Sequence, residues 1–104
     1  METHAKFHVG QIVCHRLFSY RGVVVDVDPE FHGTDEWYEQ MARSQPPKDK
    51  PWYHVLVHNH EHWTYVAEQN LDDDDSDKPI MHPDLEQVFG EMRDGAYVRQ
   101  GGVN

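Results

Sequence analysis

Hydrophobic and polar positions along this chain fall into short runs, and most of the runs predict strands. Lys6 to Arg16 reads as a first strand, apolar at Phe7, Val9, Ile12 and Cys14, with Gly10 marking a turn or bulge. Leu17-Phe18-Ser19-Tyr20 is a short connection. Arg21 to Asp28 is the clearest strand: β-branched at Val23-Val24-Val25, alternating at its acidic end and stopped by Pro29. Gly22 inside it permits a bulge or a close strand approach. Two strands joined by so few residues predict an antiparallel meander.

The pattern changes at Thr34, which predicts a helix start, with Asp35 and Glu36 at the positive end of the helix dipole. Trp37 and Met41 stand four apart, as do Tyr38 and Ala42, so one face can cover a barrel. Arg43 closes the last turn, Pro46-Pro47 ends the helix, and Lys48-Asp49-Lys50 is a charged surface loop. Pro51 to Val57 and Trp63 to Ala67 predict the third and fourth strands, joined by a hairpin loop over His58 to His62. A short turn over Glu68 to Leu71 leads into Asp72-Asp73-Asp74-Asp75, expected to be solvated and mobile. Pro83 then begins an amphipathic helix carrying Asp84, Leu85, Val88, Phe89 and Met92, with Gly90 inside the pattern. From Asp94-Gly95 onward the tail either adds a last strand through Tyr97 and Val98 or frays.

Short strands and tight turns of this kind predict a mainly β fold. The expected form is a small, partly open SH3-like barrel with a short helical insertion and a C-terminal helix, since one short sheet must curl to bury its apolar face. The expectation is one domain over residues 1–104, with its core at about 6–90 and a tail over 91–104.

Charge narrows the function classes. The net charge is −10 with histidines neutral. Residues 1–53 carry six Lys/Arg against eight Asp/Glu, and residues 54–104 carry three against eleven, so −8 falls on the second half. Such a field repels a phosphate backbone and favours basic or apolar partners. No apolar run approaches the roughly 18 residues of a membrane span, and the N-terminus has no signal-peptide pattern. Cys14 is the only cysteine, so an intrachain disulfide is excluded and a reducing cytoplasm is expected. Cys14 itself reads as a half-buried thiol in a strand.

Tyr20-Arg21-Gly22-Val23-Val24-Val25-Asp26-Val27-Asp28-Pro29 resembles the heat-shock protein HspQ family, also called the YccV-like or hemimethylated-DNA-binding domain. Pro51 to Val57, Thr64 to Leu71 and Pro79-Ile80-Met81-His82-Pro83 extend the resemblance from about Lys6 to Phe89. The resemblance implies an SH3-like barrel that self-associates as a closed homo-oligomer, a trimer. It also implies a stress-linked cytoplasmic role in degradation of denatured proteins and of the replication initiator DnaA, with client proteins and an ATP-dependent protease as partners. Binding of hemimethylated DNA is the alternative that the family's other label implies. No catalytic residue or cofactor comes with the resemblance. The acidic run at Asp72 to Asp75 and the histidine-rich loop depart from the family and weigh against direct DNA contact.

Four candidate sites remain in the side chains. His54, His58, His60 and His62 have equal parity and can converge on zinc, nickel or copper from an extended strand, although the spacing matches no closed structural zinc pattern. Asp26 and Asp28 can flank a groove as acid and base, but an outward polar face opposite Val25 and Val27 explains them more simply. Arg16, Arg21, Lys48 and Lys50, with Trp52 and Tyr53 nearby, form the best nucleic-acid face, with Asp26, Asp28 and Asp49 interleaved. Protein contacts are offered by Trp37, Tyr38 and Met41, or by Leu85, Phe89 and Met92, each set also readable as core. No nucleophile-elbow context or phosphate-binding glycine pattern is present, so the sequence predicts a binding protein and not an enzyme.

Overall fold

The sheet forms where β-branched and aromatic residues concentrate, and its order follows from successive antiparallel turns. The computed structural model describes residues 4–99. Its strands are β1 (Ile12–His15), β2 (Arg21–Asp28), β3 (Trp52–Val57), β4 (Trp63–Ala67), β5 (Leu71–Asp73), β6 (Phe89–Arg93) and β7 (Ala96–Arg99). The first five make one sheet in the order β4-β3-β2-β1-β5, antiparallel throughout. A 3₁₀ turn, Glu68–Asn70, carries the chain from β4 to β5. β4 and β5 are the two edges and do not pair with each other, so the barrel stays open, as the mainly β, partly open SH3-like reading expects. The hairpin β6–β7 is a separate two-stranded sheet that packs on the larger one through Phe89 and Tyr97 and is bridged to it between Gln11 and Ala96.

The two faces of the curled sheet hold separate cores. Phe7, Val13, Val24, Tyr53, Val55, Val66 and Leu71 fill the inner one. Ile12, Val23, Val25 and Leu56 fill the outer one, under Ile80, Phe89 and Tyr97. A β-bulge between Val24 and Asp26 lets β2 serve both. With unbroken alternation, Val24 pointing inward would send Asp26 and Asp28 inward too. The extra residue, Val25, reverses the phase: Val27 joins the inner core and both acids face out.

The helical insertion is α1 (Asp35–Met41), with Thr34 as its N-cap accepting from the Trp37 N–H at 3.1 Å. Its rings cover one end of the outer sheet face. Phe31 and Trp37 meet Trp52 and Tyr65 at centroid distances of 4.8 to 6.1 Å.

Three expectations are corrected. The first strand is shorter than Lys6 to Arg16, because Gly10 (φ +94°) turns the chain against the Tyr97 backbone before β1 begins. The acidic run is exposed as expected but more regular: Asp72 and Asp73 belong to β5, and the Asp74 carboxylate pairs with Arg21. The C-terminal helix shrinks to α2 (Leu85–Val88), and Phe89 and Met92 belong to β6. Asp94 (φ 54°) and Gly95 (φ 80°) make the tight turn into β7, which realises the last-strand alternative for the tail. Residues 100–104 of that tail lie outside the described residues.

Candidate functional site

Between the α1 aromatic cover and the β6–β7 hairpin, the outer sheet face carries a polar window. Asp26 lies directly across the ladder from His54, which lies across from Tyr65 on the next strand. Asp28, two residues beyond Asp26, shares their face. The Asp28 carboxylate accepts from the Tyr65 hydroxyl at 2.6 Å and lies 3.2 Å from His54 Nε2. The Tyr65 oxygen also accepts from the His32 N–H at 3.0 Å, and its ring lies 4.5 Å from the His54 ring. Burial pulls the Asp28 carboxyl upward, but the bonds from Tyr65 and His54 outweigh it, so the group sits below the usual carboxylate range. Burial and the adjacent Asp28 carboxylate push the Tyr65 hydroxyl up, which keeps it a donor. Ligand atoms of Asp26, Asp28 and His54 lie within 4.8 Å of one another.

The four equal-parity histidines do not converge. His54 faces Asp28, whereas His58 Nδ1 accepts from the Met81 N–H at 2.9 Å and His60 stacks on His62 at 5.6 Å. His60, His62 and His82 instead line an open hollow of about 850 Å³ together with Met81 and Pro83. Beside it runs β4, an outer edge of the sheet, beginning at Trp63, whose side chain is 51% exposed and donates to Asp84 at 2.8 Å. Met81, at 63%, is exposed as well.

The basic candidates are mostly occupied. Arg16 lies 3.6 Å from Asp72, Arg21 pairs with Asp74, and Lys48 lies 3.3 Å from Asp35 and 4.3 Å above the Tyr38 ring. Lys50 is exposed with no carboxylate partner among the described residues. Trp52 and Tyr53, at 1% and 0% exposure, are core side chains, which removes both rings from any stacking role. The Tyr53 hydroxyl is held by Glu68 at 2.6 Å.

The apolar candidates divide similarly. Trp37 and Tyr38 are half-buried in the aromatic cover, and Met41 projects into solvent. Phe89 is buried, and Leu85 and Met92 pack against the outer core, so that set is core. Exposed apolar side chains lie elsewhere, at Trp63 and Met81 by the hollow and at Leu17 and Phe18 in the β1–β2 turn, where Phe18 is 71% exposed. A polar-to-apolar pattern flags none of them, because their exposure depends on where β4 and the β1–β2 turn end up.

No helix among the described residues is long and apolar enough to cross a membrane. Compared with known families, residues 5–96 match the family described as hemimethylated DNA-binding protein YccV like.

Proposed function

Starting from the fact that the chain belongs to the YccV-like family, we propose that it acts non-covalently, as a stress-linked protein-binding factor. On this reading it modulates degradation of denatured proteins and of the replication initiator DnaA. Its partners are client proteins and an ATP-dependent cytoplasmic protease, its working form is a homo-oligomer, a trimer, and it catalyses nothing itself. The observation that carries the reading is the open edge of β4, with Trp63 exposed beside the hollow that Met81 lines. An edge strand presents unpaired backbone groups to which an extended segment can add, while side chains beside it select what docks. Denatured clients supply such segments.

The family description supports a second reading, hemimethylated-DNA binding. Electrostatics weigh against it. Three of the four basic candidates are already paired with carboxylates, on a chain of net charge −10. Phosphate would have to displace those acids against the field of the whole molecule.

Two measurements separate the readings. Degradation of an unfolded reporter by a purified ATP-dependent protease should change when the chain is added, and Trp63→Ala should reduce the effect. In parallel, anisotropy of a hemimethylated duplex should show binding that collapses between about 50 and 200 mM salt, if any is seen. An unchanged degradation rate, together with methylation-sensitive duplex binding that persists at the higher salt, would replace the protein-binding reading with the DNA-binding one.

A further inference from the structure

We propose that Asp26, Asp28 and His54 form a binding site for one divalent first-row transition ion, of the zinc class, on the outer face of the sheet. A simple Asp28–His54 ion pair accounts for two of these groups. It does not account for the second carboxylate that the β2 bulge sets directly across the ladder from the same imidazole.

Four observations favour a metal. Asp28 Oδ2 and His54 Nε2 stand 3.2 Å apart, close to the edge of about 3.3 Å expected of two ligands at roughly 2.0 Å from a tetrahedral zinc. Asp26 is exposed; one of its oxygens accepts from the Val27 N–H at 2.9 Å, and a ligand atom of its carboxylate lies within 4.8 Å of those of Asp28 and His54. The Tyr65 hydroxyl holds Asp28 at 2.6 Å and is itself anchored by His32 N–H, the kind of outer-shell support that orients metal ligands. All three ligands ride on paired strands, which fix them better than a loop does.

The donor set chooses among ions. One imidazole and two carboxylates, with no thiolate, suit zinc and its first-row neighbours better than soft copper(I). Calcium and magnesium favour oxygen-only shells, so the imidazole counts against them. Three protein ligands leave a fourth position for water or a partner's donor. The negative field of the chain raises the local cation concentration.

The test uses the full chain without a histidine tag, stripped with chelator and titrated with Zn²⁺ by calorimetry and thermal melting. One ion per chain and a melting temperature that rises with Zn²⁺ and falls back with EDTA are expected. Asp26→Asn and His54→Gln should each weaken binding at least about tenfold, the lower end of what even an outer-shell change costs. The double variant His60→Gln/His62→Gln should bind as the parent does, because those rings lie at the hollow. Far-UV circular dichroism checks that each variant folds. Absence of saturable binding by the unaltered chain overturns the proposal irrespective of how the variants fold. So does binding that survives His54→Gln and disappears in the double variant, or displacement of Zn²⁺ by equimolar Mg²⁺.

Discussion

One methyl group added at Gly22 is expected to destabilise this fold by about 2 kcal/mol, within the range for overpacking a filled interior. A Cβ built there lies 2.5 Å from the Leu56 carbonyl oxygen and 2.5 Å from Val55 Cγ1. Ordinary carbon contacts begin near 3.5 Å, so the overlap is about 1 Å, and one obstacle is backbone. Nor can β2 step aside easily, because Gly22 pairs with Val13 on one flank and Val57 on the other. At this chain length, about 2 kcal/mol corresponds to a fall of roughly 8–16 °C in Tm. Gly90→Ala is the control: its nearest neighbour, the Val98 carbonyl oxygen, is 3.9 Å away, and a change within about 0.5 kcal/mol is expected. Urea titration and thermal melting of both variants measure the difference, with the urea m-value expected to stay constant. The packing argument fails if Gly22→Ala lies within 0.5 kcal/mol of the parent, or if the two variants are equally destabilised.

Two further outcomes are expected. Burial lowers the His15 pKa from 6.5, and Nδ1 accepts from the Leu17 and Phe18 N–H groups, bonds that protonation there removes. The unfolded chain therefore binds the proton more readily, so the His15 contribution is full above about pH 6.5 and is lost as pH falls below it; an NMR titration placing the His15 midpoint at or above 6.5 contradicts this. Tyr53→Phe removes the donor to Glu68 and the acceptor of the Phe7 N–H at 3.2 Å, and should cost about 1–3 kcal/mol in urea unfolding because that N–H is left buried; a cost below about 0.5 kcal/mol means that water or a shift of Phe7 satisfies the group.

Local signals in the sequence were sufficient where pattern and punctuation agreed. β2 runs from Arg21 to Asp28 as its composition and Pro29 predict, and Thr34 caps α1 as its position before two acids predicts. The close approach expected of Gly22 is present, although the bulge lies at Val25. Failures came where a partner far along the chain decides the outcome. Asp72 and Asp73 are solvated as expected, but nothing local shows that their backbone pairs with β1, or that Arg21 reaches Asp74 from 53 residues away. Leu85, Val88, Phe89 and Met92 fit a helical spacing, but the Asp94-Gly95 turn returns the chain as a hairpin over Ile12 and Leu56. That dipeptide, flanked by short apolar runs, was the available signal. The polar window shows the same limit. Parity places Asp26 and Asp28 on one side, yet their meeting with His54 and Tyr65 depends on a cross-strand register that no local pattern states.

The bulge in β2 has a consequence for how the sheet assembles. If β2 slid by one position against β3, Asp26 and Asp28 would be driven in among Tyr53, Val55 and Val66, where an ionised carboxylate is strongly disfavoured. An out-of-register pairing of β2 with β3 is thus disfavoured, and the strand at the centre of the sheet tolerates a single alignment with this neighbour. The same two acids that decorate the finished surface act, while the chain is still searching, as a stop against slippage.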